Sequence, residues 1–245
     1  MAQPKRELAI LRLVFINMLV LCSCSMHLPD MPADPLQGEF NLTKGTRRVY
    51  LYSEYEPAIS DPTQIITARF QLTQTVTGIS RANGLILVDV LSEQKTIQMP
   101  AGLADYMPLP LTGDSWYIIK GRQVFETGDA VNPATIDTGT LPLTFDFPLS
   151  VNKSWCPFLI DLKDPTHSLK SNCDNGGKLT ILQHTDYQVP AGKFEDCYQI
   201  KQCYNDGCFL EWFCTGVGVV ESKYDHAGSR FGFEQVMTGY FKGTP

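Results

Sequence analysis

The stretch CYQIKQCYNDGCFLEWFC, residues 197–214, holds four cysteines disposed about one turn, and it constrains the chain more than any other feature. If Cys203 faces Cys208 across an antiparallel hairpin, the residue numbers of every facing pair share the sum 411, and Cys197 then faces Cys214. Cys197 and Cys203 are an even number of residues apart, so both pairs lie on one face of the ribbon. Facing Cα atoms in such a pair are about 4.5–5.5 Å apart, within the span of a disulfide. One register, turning in Tyr204-Asn205-Asp206-Gly207, therefore serves two bridges. The competing turn at Asp206-Gly207 would set Cys203 against Leu210 instead.

Of the eight cysteines, two lie near the N-terminus, and Cys156 is left to pair with Cys173 by elimination. A zinc or redox centre would need C-x-x-C knuckles or spaced histidines, and the sequence has neither. The cysteines read as structural, each bridge worth roughly 2–3 kcal/mol on a loop-entropy argument. No metal and no cofactor is expected.

Three bridges imply an oxidising compartment. The N-terminus agrees. Lys5, Arg6 and Arg12 precede a short apolar run, Leu13 to Cys22, too short for a membrane-spanning helix and suited to a signal-peptide core. The run ends in Leu-Cys-Ser-Cys, which resembles a bacterial lipobox with Cys24 as the acylated residue, although Cys22 departs from the usual small or aliphatic residue. An ordinary secretory signal is the alternative. The expected organisation is a lipoprotein signal over 1–23, the lipidated Cys24 and a Pro-rich tether over 24–40, and one domain over 41–245. Without its leader the chain keeps 17 basic and 25 acidic residues, a net charge of −8. That balance excludes nucleic acid as a partner and leaves membrane attachment to the acyl chain, palmitate included.

From Thr46 onward, β-branched and aromatic residues alternate between turn signals. RRVYLYSEY reads as a strand, TQIITARFQLTQTVTGIS and LILVDVLSE as a hairpin through RANG, and DSWYIIKGRQVFET as a hairpin turning at Lys120-Gly121. GGKLTILQHTDYQV, GVGVVESKY and RFGFEQVMTGYF continue the series, and no amphipathic helix of useful length follows the leader. The fold class is all-β: a strongly curved antiparallel sheet or an open or half barrel.

Pro148, Leu149 and Trp155 in FPLSVNKSW, the run Val189-Pro190-Ala191-Gly192 with Phe194, and Trp212, Gly216, Val217 and Gly218 form a pattern. It resembles that of a family of exported bacterial lipoproteins: Pro-Leu-x-x-Gly-x-x-Trp, Val-Pro-Ala-Gly-x-Phe and Trp-x-x-x-Gly-Val-Gly. Asn152 stands where the family has glycine. The resemblance covers about residues 110–245 and implies a curved sheet outside a membrane. It brings no catalytic residues, because the family has no agreed activity.

The four histidines are His27, His167, His184 and His226. Asp225, His226 and Ser229 form the one segment with acid, base and hydroxyl together, but neighbours on a strand face opposite ways, and a polar turn is expected. Acidic residues are scattered along the sequence. Trp116, Trp155 and Trp212 either fill the core or line a cavity. Three functions follow: a non-catalytic binding or scaffold lipoprotein with an envelope protein as partner, a carrier of a lipid or apolar ligand on the concave face, or an envelope hydrolase. Clustered carboxylates in a cleft would favour the last, a continuous apolar cavity the second.

Overall fold

The computed structural model describes residues 36, 38–40, 43–58, 61–100, 113–128, 131–132, 135–157, 173, 177–204 and 207–244. The leader, Cys24, His27 and His167 lie outside the described residues.

The domain is one antiparallel sheet of twelve strands, nearly closed into a barrel, with no α-helix among the described residues. The first half of the chain gives β1 (Arg47–Ala58), β2 (Asp61–Ala82), β3 (Leu85–Gln98), β4 (Gly113–Lys120), β5 (Gln123–Thr127) and β6 (Leu143–Asp146). The second gives β7 (Ser154–Trp155), β8 (Leu179–Val189), β9 (Gly192–Tyr204), β10 (Gly207–Cys214), β11 (Gly218–His226) and β12 (Gly232–Phe241). Each half is a meander, and the two join where β1 pairs with β12, so that β6 and β7 are the sheet's edges.

Turn chemistry fixes each register. Asn83 and Gly84 sit at φ 52° and 74°, the paired positive angles of a hairpin turn that matches strand twist. The β4–β5 turn lies one residue later than expected: Lys120 pairs with Gln123, and Gly121 takes φ 59°. Val189 pairs with Gly192 around Pro190-Ala191. In β9–β10, Cys203 faces Cys208 and Cys197 faces Cys214, with pairing carried one step further, to Tyr204 and Gly207. The disulfides join Cys197 to Cys214, Cys203 to Cys208 and Cys156 to Cys173.

The tether expected over 24–40 ends sooner. Leu36 and Phe40 are buried, and the compact unit begins at Pro35. Phe40 stacks on Phe213 at 6.1 Å and meets Tyr117 edge-on at 5.3 Å. The Glu39 carboxylate accepts from the Arg122 guanidinium at 2.7 Å, and its carbonyl accepts from the Gly216 amide. Leu36 and Phe40 thereby join the main core cluster with Phe145, Phe147 and Phe213.

Residues 147–153 link the two edges. Asn152 takes φ 70°, a left-handed angle that asparagine tolerates better than most residues. The Lys153 ammonium donates to the carbonyls of Asp146 and Pro148 and pairs with the Asp146 carboxylate at 3.0 Å. The Leu143 amide donates to the Pro157 carbonyl at 2.5 Å, and the Trp155 indole donates to the Leu143 carbonyl at 3.2 Å. These contacts form a seam between the shortest strands.

Gly218 shows a close approach. Its φ is 100°, and a Cβ there would lie 2.9 Å from Nη2 of the buried Arg48, whose Nε donates to the Val217 carbonyl at 2.7 Å. Gly218→Ala should destabilise the domain by roughly 1–3 kcal/mol, through overpacking and backbone strain together. Urea denaturation of the two proteins measures it; equal midpoints would contradict the packing argument.

Candidate functional site

Alternation places Phe209, Glu211 and Phe213 of β10 on one face of the strand. Register carries that face to Gln202, Ile200 and Tyr198 of β9 and to Tyr224 and Ser222 of β11. On the far wall the same logic brings Val124 and Glu126 of β5 opposite Ile119 and Tyr117 of β4. Curvature then sets Glu126 and Glu211 within each other's field inside the barrel.

Both carboxylates line an open cavity of about 650 Å³ beside the seam. Its apolar wall includes Pro142, Leu143, Pro157, Leu179 and Phe209, and its polar lining includes Gln202 and Thr144. Tyr204, 47% exposed, lies at the lip. From Phe209 a row of rings continues across the sheet: Phe233 at 6.1 Å, Tyr52 at 5.6 Å from Phe233, and Phe70 at 6.1 Å from Tyr52.

The carboxylates keep some surface toward the cavity but are ringed by protein. Burial pushes Glu126 up to about 6, and a hydrogen bond with Tyr117 draws it partly back. Burial, and then the charge of Glu126, push Glu211 up to about 8 against a hydrogen bond from Ser222 at 3.4 Å. Among the described residues no basic side chain pairs with either carboxylate. Glu54, on the face shared with Tyr52, is also raised by burial, and its Oε2 is buried without a hydrogen-bond partner among the described residues.

The residues singled out in the sequence sit elsewhere. Asp225 accepts from the Tyr55 hydroxyl at 2.6 Å and pairs with Lys223, while Ser229 accepts from the Phe231 amide. His226 closes the hairpin through its backbone, so this segment is a turn and no triad forms. His184 lies on β8, 2.5 Å from Asp196 and stacked on Tyr198 at 4.3 Å, half-exposed. Trp155 and Trp212 are buried, Trp212 stacked on Tyr187 at 3.9 Å, and Trp116 packs against the main core. All three serve packing. Among the described residues no three His, Cys, Asp or Glu side chains converge as a metal site would require.

The sequence reading missed Glu126 and Glu211, which it counted among scattered acids. A signal was present: each interrupts an inward apolar alternation, Glu211 between Phe209 and Phe213, Glu126 two residues after Val124.

No known family's sequence profile matches this chain, and no curated protein does. Two solved structures are similar to it. One is a protein described as exported, with a YmcC-like fold, from Bacteroides fragilis NCTC 9343: 12% identity, TM-score 0.45, covering 83% of this chain and 98% of that one. The other is a protein described as a lipoprotein from Parabacteroides distasonis ATCC 8503: 14% identity, TM-score 0.44, covering 82% and 97%.

Proposed function

We propose that this chain is an extracytoplasmic bacterial lipoprotein, acylated at Cys24, whose barrel is a binding module for a ligand with an apolar body. One observation carries the reading: an open cavity of about 650 Å³, within the ordinary range for small-molecule sites, with an apolar wall of Pro142, Leu143, Pro157, Leu179 and Phe209 facing a polar set that includes Glu126, Glu211 and Gln202. A stapled, single-sheet domain holds such a cavity rigidly, which lowers the ordering cost of binding.

N-phenyl-1-naphthylamine, an uncharged apolar dye, tests it. Its fluorescence should rise saturably with one site per chain, and Phe209→Ala should weaken binding by roughly tenfold. A non-saturable rise, or affinity unchanged by the substitution, would favour a scaffold whose partner is an envelope protein.

Hydrolysis is the second reading, favoured by the Glu126–Glu211 pair. Two carboxylates with different raised values are the arrangement from which acid and base roles are drawn. Turnover of 4-nitrophenyl glycosides, lost in both Glu126→Gln and Glu211→Gln, would put this reading first.

A further inference from the structure

The cavity poses a question of charge. Two carboxylates stand at its floor, and their neighbours are neutral hydroxyls: Tyr117 on Glu126 and Ser222 on Glu211. Hydroxyls satisfy lone pairs but neutralise nothing. The buried guanidinium of Arg48 donates through Nε to the Val217 carbonyl; its Nη2 has no hydrogen-bond partner among the described residues, and it pairs with neither carboxylate. Carboxylates taken out of water are costly: with no cation beside them they hold a proton, as Glu126 and Glu211 do, and a cation that enters the cavity takes that proton's place. Beside them the wall changes character at once, to Phe209, Leu179, Leu143 and Pro157, with Tyr204 exposed at the lip.

We infer that the cavity receives an amphiphile with a cationic head, an amine or quaternary ammonium set against Glu126 and Glu211, its apolar body lying along Phe209, Leu179 and Leu143. The inference rests on the binding reading above and names the ligand class. Charge complementarity selects the head. Phe209, two residues from Glu211 on the same face of β10, adds to it, since a cation over a Phe face is attracted by the ring quadrupole. A bare metal ion fits poorly: hard cations take six or more oxygens, whereas much of this wall is hydrocarbon. An anionic head would meet two carboxylates.

Calorimetry on the intact protein at pH 9, where both carboxylates are ionised, with decyltrimethylammonium, decyl maltoside and decyl sulfate, each below its micellar concentration, separates these. The expected order is cation tighter than the neutral compound by at least about tenfold, with the anion weakest. Glu126→Gln/Glu211→Gln keeps the shapes and removes the charges, so it should bring the cation to parity with the maltoside. Near-UV circular dichroism checks that the variant is folded; should it not be, the single Glu126→Gln is measured against the same three compounds. A maltoside that binds wild type as tightly as the cation, or a cation preference that survives the loss of charge, would overturn the head-group assignment while leaving the apolar cavity standing. No saturable binding of any decyl compound would overturn both.

Discussion

Phe213→Ala should lower stability by about 3–5 kcal/mol, the range for removing a buried ring and leaving a cavity behind. Phe213 is fully buried on β10 and lies 4.6 Å from Phe145, 5.7 Å from Phe147 and 6.1 Å from Phe40. It thus joins four parts of the chain: the segment before β1, strand β6, the link across the seam and the stapled hairpin. Few neighbours can move to refill the space, because β10 is held by disulfides on its other side. Melting followed by circular dichroism should show a fall on the order of 10 °C, since 1 kcal/mol shifts a domain of this size by about 2–4 °C. Phe241→Ala is the control. That ring is 50% exposed beneath Arg47, and its loss should be nearly silent.

Glu211→Gln should make the protein more stable at pH 8 and flatten the dependence of stability on pH between about 5 and 8. The sign follows from linkage. In the folded barrel Glu211 titrates at about 8, raised first by burial and then by Glu126. In the unfolded chain it titrates in the usual carboxylate range. The folded state therefore holds a proton that the unfolded state has released. This contribution is fully present below the unfolded value and is lost as pH rises through 8. Each unit of difference corresponds to about 1.4 kcal/mol, so the wild-type loss amounts to a few kcal/mol. Glutamine keeps the shape and the bond from Ser222 with no proton to lose. Urea midpoints at pH 5, 6, 7 and 8 for both proteins decide the matter; parallel curves would mean that Glu211 does not titrate in this window.

Much of the architecture was legible because local rules act within single hairpins. The shared register of Cys197–Cys214 and Cys203–Cys208 is arithmetic on one strand pair, and it describes β9–β10 as found. Two things were not legible. Leu36 and Phe40 sit in a Pro-rich stretch without period, and nothing local says that this turn, closed by the Glu39 and Phe40 amides on the Leu36 carbonyl, packs into the core. Glu126 and Glu211 meet only because the sheet curves through many strands, an accumulation that no window of sequence contains. The interrupted alternation around each marks an inward acid, but that they share one cavity is a property of closure.

The position of the seam has a consequence for how the chain is made. Strands β6 and β7, the sheet's edges, come from the middle of the sequence, while the first and last strands lie side by side, with Thr238 donating to the Val49 carbonyl 189 residues away. A polypeptide emerging N-terminus first can zip β1 to β6 as it appears. The outer edge of β1 then has no partner until the last strand is complete. Through most of synthesis that row of amides and carbonyls is a template for any passing strand. The final pairing also closes the largest loop in the molecule, the step that topology makes slowest. The time of greatest exposure to mispairing is therefore set by the length of the chain, and it ends only when the two termini have found each other.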